Sequence, residues 1–297
     1  MKKLLMTATV AALVLAGCSG GDKEYDATGT FEATEVMVYA EQSGQLVRFG
    51  VHEGDTLTAQ QETALIDTVP IALKISQLDA TKQVYSSQRP DVEKQLGALR
   101  RQLEKARLEQ RRYEELVRDG AAPRKMLDDA ESQVQVLQRQ LDAMQSSLSV
   151  QNATLSSQMD ATQTQISQLT DQLRRCHVLA PITGTVLEKY VEQGELVATG
   201  KALYKLADTE HMFLRAYITS AQLQSIRVGQ HVKVFADYGD NQRQAYEGTV
   251  AWISSRSEFT PKTIVTDDER ADLVYAVKIA VKNDGYIKIG MYGEVKF

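Results

Sequence analysis

The chain has 297 residues, 43% of them apolar, and 34 Lys and Arg against 39 Asp and Glu leave a formal charge of −5. That length suggests about two domains, and the acidic balance lacks the basic footprint of a nucleic-acid binder, so no nucleic-acid partner is expected. Two cysteines exclude a disulfide framework or a four-cysteine zinc site, and His52, His177, His211 and His231 never fall at the i,i+4 spacing of metal ligands, so no metal centre is expected.

At the start of the chain, Lys2 and Lys3 precede an apolar stretch from Leu4 to Leu15, too short to span a bilayer. It ends in Leu15-Ala16-Gly17-Cys18, which resembles a bacterial lipobox. The resemblance implies a lipoprotein signal peptide over 1–17 and a covalent lipid on Cys18. Residues 18–27 would then be a lipidated tether. Several acyl chains are needed for stable attachment, because one alone holds only marginally. Cys176 would be the remaining thiol. No other run reaches 18 apolar residues, so no further membrane span is expected. Phe31 to Tyr39 reads as a strand, within a segment 28–39 that joins a later barrel.

A pattern then occurs twice. Ala40-x3-Gly44-x6-Val51-x2-Gly54-Asp55-x-Leu57 returns 140 residues on as Ala180-x3-Gly184-x6-Val191-x2-Gly194-Glu195-x-Val197. Alternating apolar residues punctuated by glycine read as short strands with tight turns, and Gly44, Gly54, Gly184 and Gly194 are assigned to those turns. The two halves, 40–69 and 178–208, suggest a pseudo-symmetric β-sandwich. The pattern resembles the lipoyl/biotinyl carrier fold, in which the hairpin between the halves carries a modified lysine. Here 70–177 replaces that hairpin, and neither Lys189 nor Lys201 occupies its tip, so no lipoyl or biotin cofactor is expected.

The inserted segment has heptad spacing. Val92, Leu96, Leu99, Leu103, Ala106, Gln110, Tyr113 and Val117 lie on one arm, and Leu127, Ala130, Val134, Leu137, Leu141, Met144 and Leu148 on the other. Sustained a/d spacing with polar residues elsewhere indicates a coiled coil. Asp119-Gly120-Ala121-Ala122-Pro123 breaks both arms, giving an antiparallel hairpin with its tip near 118–124. Gly120 suits the C′ position of the first helix and Pro123 the first turn of the next. An arm of about 45–50 residues projects roughly 70 Å. The first arm is net basic from Lys94 to Lys125 and the second net acidic from Leu127 to Cys176, which favours their pairing. Pro90 interrupts the first arm, and at the same height the rhythm slips around Asn152. The two predict a joint in the hairpin.

From His211 onward short apolar runs recur: Met212–Ile218, His231–Phe235, Gly248–Ile253, Tyr275–Val281 and Gly293–Phe297. Their spacing predicts an all-β barrel over 209–297, with a short helix near Ser220–Leu223 capped by Thr219 or Ser220. The expected fold is mixed: a long antiparallel coiled-coil hairpin inserted in a split lipoyl-like sandwich, followed by a β-barrel. No nucleophile–base–orienter set or phosphate loop is present, so no enzyme is expected. Asp267-Asp268-Glu269 reads as a solvated loop.

A lipid anchor, split lipoyl halves, a helical hairpin between them and a closing barrel are similar to the HlyD-like periplasmic adaptor, or membrane fusion protein, family of efflux and secretion systems. Glu258 to Lys262, followed by Asp272-Leu273-Val274-Tyr275, resembles the YbhG-like branch that serves ABC-type exporters. The resemblance implies a non-enzymatic periplasmic subunit that joins an inner-membrane ABC or RND pump to an outer-membrane TolC-type channel. It also implies a homo-oligomer, a hexameric ring. Family tips that bind such channels share Arg-x3-Leu-x6-Ser; here Arg112 and Leu116 match, Tyr113 also fits, and Pro123 takes the Ser position. Two other readings fit part of this order. One is a structural coiled-coil lipoprotein tether without a transport role, the other a degenerate carboxyl-carrier component; copurification of a pump and the mass of any modified lysine separate them from the adaptor.

Overall fold

The structure, a computed structural model, describes residues 25–239, 242–258 and 274–297. Cys18, most of the tether, the Phe259–Lys262 and Asp272-Leu273 segments and the acidic run Asp267–Glu269 lie outside the described residues.

Two compact units emerge. One takes in the described residues up to Ala40, with Arg48–Ala64 and Leu179–Phe297; the other takes in Glu41–Val47 and Leu65–Val178. In chain order the first strands are β1 (Ala27–Tyr39), β2 (Gly44–Phe49), β3 (Thr56–Leu57) and β4 (Glu62–Ile66). Helices α1 (Val69–Ser87), α2 (Val92–Arg118) and α3 (Arg124–Arg175) follow. The chain then returns to strands β5 (His177–Leu179), β6 (Gly184–Lys189), β7 (Leu196–Val197), β8 (Ala202–Thr219), β9 (His231–Asp237), β10 (Arg243–Ile253), β11 (Val274–Lys282) and β12 (Tyr292–Lys296).

In the first unit, strands β1-β12-β9-β10-β11-β8 form a sheet that closes on itself through β1 and β8, giving a barrel. Alternation builds it: along β9, Val232, Val234 and Ala236 point inward while His231, Lys233 and Asp237 face out. Phe31, Met212, Leu214, Ile218, Val234, Ile279 and Val295 belong to its core. β1 and β8 are shared by two domains. Residues 28–33 of β1 pair with 212–217 in the barrel; at Ala33/Thr34 the register jumps from Met212 to Asp208, and 34–39 continue in the sandwich. The bulge marks where barrel becomes sandwich. The segment expected to join the barrel therefore does so only to Ala33. Beyond β8 the sheet continues into β6 and β3, and a second sheet has the order β5-β4-β2-β7.

The repeat is visible bond by bond. Ala40 donates to the Lys201 carbonyl and accepts from Gly200; Ala180 donates to Gln61 and accepts from Gln60, each partner being 140 residues from its counterpart. Gln60, with φ 67°, takes the left-handed conformation that Gly200 takes in the other half.

In the second unit the hairpin stands on its predicted seam. Leu96, Leu103, Leu137, Leu141 and Leu148 form one buried cluster, with Val92, Leu99, Ala106 and Val134 against it. Met144, at a seam position by spacing, is instead 43% exposed. Lower down, Ile71, Ile75, Leu78, Lys82 and Tyr85 make the half-buried stripe of α1, and Leu155, Thr162 and Ile166 the buried stripe of α3. Lys82 Nζ bonds Gln163 Oε1 at 2.6 Å and Arg107 bonds Gln138 Oε1 at 2.7 Å, which fixes the antiparallel register on both sides of Pro90.

The joint is one-sided. α1 stops at Ser87, Pro90 lies in the linker, and Asp91 caps α2 by accepting from Lys94 N at 3.1 Å. α3 runs unbroken through Asn152 for 52 residues, about 78 Å at 1.5 Å per residue. The backbone break is therefore on the Pro90 side, and the slip of rhythm at Asn152 is carried within a continuous helix. A stutter shifts the phase of the apolar stripe without removing a backbone donor, whereas proline removes one.

Candidate functional site

The hairpin tip is built by two helix ends. Asp119 closes α2, and Gly120, at φ 70°, takes the left-handed residue after it. Gly120 N donates to Val117 O and Ala121 N to Leu116 O at 2.7 Å, the paired bonds of a Schellman stop. Pro123 does not enter the first turn of α3. It is the N-cap, with ψ 141°, and its carbonyl accepts from Met126 N. Proline has no side-chain acceptor, so the first amides of α3 keep their partial positive charge unmatched by a side-chain cap.

Charge adds to this. No acidic residue stands in the first turn of α3; Arg124 and Lys125 open it, and Arg118 ends α2. At the positive end of a helix dipole, Arg124 and Lys125 disfavour the start of α3, whereas Arg118 stands at the favourable C-terminal end of α2 and pairs with Asp119 at 3.6 Å. Arg112 and Leu116 stand one turn apart on α2; Arg112 is exposed and makes no ion pair among the described residues, and Leu116 is half-buried. Tyr113 turns into a groove of about 660 Å³ that Ala106 and Ala130 leave open in the seam, with Met126 and Leu137 on its walls. The structure thus brings Arg112, Tyr113, Leu116, Gly120 and Pro123 to one end of the hairpin, with Arg124 and Lys125 beside them. The signal for that last pair was legible as a first helical turn without an acid. Two guanidinium groups, one ammonium and free helix amides together offer donors to carboxylate or carbonyl acceptors.

The glycines of the repeat divide into two kinds. Gly54 and Gly194 have φ 89° and 93° and occupy matching turns. In each turn a carboxylate bonds back: Asp55 accepts from His52 N at 2.8 Å, and Glu195 accepts from Glu192 N at 3.1 Å. Gly44 and Gly184 are not turn residues. They open β2 and β6, where a neighbouring strand of the same sheet, β4 or β8, comes close. A Cβ on Gly44 would lie 2.7 Å from Ile66 Cγ2, and one on Gly184 would meet the Ala207 carbonyl.

At the root of α3, Arg175 bonds Asp171 at 2.8 Å and Glu41 at 2.9 Å, and Arg174 bonds Asp171 at 2.5 Å. The Arg175 guanidinium, helped by Arg174, holds the Asp171 carboxyl below its ordinary range. Cys176 is buried at the end of α3 and its Sγ contacts Gln172 O; burial, then the Asp67 charge, pushes its thiol up, away from the reactive thiolate. No helix among the described residues is long and apolar enough to cross a membrane.

With this geometry in place, comparison with known proteins is informative. The family model described as the RND MFP, barrel-sandwich hybrid domain matches residues 34–209. The UPF0194 membrane protein YbhG of Salmonella typhi is 27% identical over 327 aligned residues, covering 100% of this chain and 98% of that protein. A UPF0194 membrane protein of Citrobacter koseri is 27% identical over 321, covering 98% and 96%. Among solved structures, MacA from Actinobacillus actinomycetemcomitans matches with a TM-score of 0.56 at 21% identity, over 91% of this chain and 76% of that one. A MacA–MexA chimera carrying the Pseudomonas aeruginosa MexA α-hairpin domain gives 0.52 at 20%, over 91% and 78%. These two likenesses concern the fold.

Proposed function

Because the chain belongs to the membrane fusion protein family of the barrel-sandwich hybrid domain, the adaptor proteins of efflux systems, we propose that it is the periplasmic subunit of a tripartite exporter. In this reading it has no catalytic role. Cys18 carries the lipid that holds it to the membrane, the barrel end engages an inner-membrane ABC or RND pump, and the hairpin tip docks on an outer-membrane TolC-type channel. Copies of the chain form a ring, a hexamer by family resemblance, that lines the conduit.

The observation that supports the channel contact is the set of donors gathered at the tip. Arg112 stands exposed beside Leu116, and next to them is a helix start with cations and no side-chain cap. Such an end favours a partner that presents carboxylates or carbonyls. Pro123 brings no hydroxyl to the contact, so Arg112, Arg124 and Lys125 provide the donors. Leu116 supplies the apolar knob.

The test is Arg112→Asp in cells, with cross-linking and copurification of a TolC-type channel as readout. Reversing a charge at a contact of this kind should cut recovery of the channel about tenfold or more, at unchanged protein level. Undiminished recovery rejects the docking role.

A further inference from the structure

Tyr25 and Asp26, the two residues ahead of β1, are tied to the barrel by several contacts. Asp26 N donates to Val295 O at 2.9 Å, its carbonyl accepts from Gln222 Nε2 at 2.6 Å, and its Oδ2 accepts from Phe297 N at 2.8 Å. Tyr25 sets its ring edge-on to Phe235, centroids 5.1 Å apart. The Arg243 guanidinium lies 4.8 Å from the centre of the Tyr25 ring, while its Nη2 and Nε reach the two Glu294 carboxylate oxygens at 3.0 and 2.5 Å. Two residues thus engage β9, β10, β12 and the 3₁₀ turn Gln222–Gln224. A strand that only needed to start at Ala27 would not require Tyr25 to cover Phe235.

We propose that Tyr25 and Asp26 form a latch, closed by Arg243, that fixes where the membrane tether leaves the barrel. The inference rests on the reading of Cys18 as the lipid anchor. Six residues, Ser19 to Glu24, separate Cys18 from Tyr25. Seven Cα steps reach at most about 25 Å, so a closed latch keeps the barrel face around Phe235 within about that distance of the anchor. An open latch pays out additional chain. Arg243 is a positioning residue here, acting through the Tyr25 ring.

The chain contains one tryptophan, Trp252, on β10 of the same barrel, which gives an internal donor for energy transfer. The full acylated chain is placed in vesicles containing a dansyl-labelled phospholipid, and transfer from Trp252 is measured. Release of the chain back to Ala27 adds about 7–10 Å of reach, and transfer falls with the sixth power of distance. Tyr25→Ala/Asp26→Ala, and separately Arg243→Gln, should therefore lower transfer at least about twofold, as should a Gly-Ser insertion of about six residues after Glu24 in the unmodified latch. The Trp252 emission spectrum without dansyl lipid verifies that each barrel is folded. If the insertion lowers transfer but both latch variants match the parent chain, the latch is refuted while the anchor stands. If intact mass shows no acyl group on Cys18 and no variant transfers, the anchor reading fails and takes the latch with it.

Discussion

At the residue scale, the repeat assigned four glycines to one role, and the structure gives them two. Gly54 and Gly194 are needed for a left-handed turn. Gly44 and Gly184 are needed because a neighbouring strand passes within the space of a methyl group. The obstacles differ: a side-chain methyl at Gly44, backbone at Gly184. A side chain can rotate away and a carbonyl inside a strand pair cannot. Gly184→Ala should therefore cost about 2–3 kcal/mol and Gly44→Ala less, about 1–2 kcal/mol, as for other overpacked sites; urea melts of the two variants check the order. Nothing in the spacing separated these roles, because a turn and a close approach both read as glycine between apolar residues. Tyr204 is a second case. It is fully buried, and its hydroxyl bonds Thr63 at 3.0 Å, a pairing across 141 positions that no local pattern announces.

At the element scale, the heptad rhythm located both arms and most of the seam. It failed at Met144, which spacing places with Leu141 and Leu148 but which is exposed. Periodicity ranks positions by angle around one helix, whereas burial also needs a facing partner at the same height. Leu96→Ala removes a wholly buried side chain and should cost about 3 kcal/mol, while Met144→Ala should stay within about 1 kcal/mol. Thermal melts followed by the helical circular-dichroism signal distinguish them; equal losses would put Met144 back in the seam. Pro90 shows the opposite case. A missing donor is a covalent fact, so the break in the first arm was legible before any partner was known. What a proline cannot reveal is that the opposite helix continues straight past the break.

For the whole molecule, the insertion is topologically simple. Ile66 N donates to Cys176 O at 2.9 Å, so the chain enters and leaves the hairpin through adjacent strands. Replacing residues 69–175 by a short turn should leave the barrel and sandwich folded, with a β-type spectrum and a cooperative melt, while channel copurification is lost. Loss of the cooperative melt would show that the hairpin is required for folding. The same adjacency explains how one architecture holds a long arm: each half of the sandwich is complete before or after the insertion, and only strand pairing joins them.

Domain order, the hairpin and its turn, the broken first arm and the two equivalent halves can be read along the chain, because each rests on covalent or periodic features: a missing amide hydrogen, a heptad, a 140-residue offset. The sharing of β1 and β8 between barrel and sandwich, with a register jump at Ala33/Thr34 where one becomes the other, emerges only when distant strands pair. The place of Pro123 as the N-cap of α3, with no side-chain cap, and the pinning of Tyr25 and Asp26 to strands more than 200 residues away come from the fold as well. Those features depend on which distant backbone and side-chain groups meet, and the free energy of such meetings is not written in any local spacing.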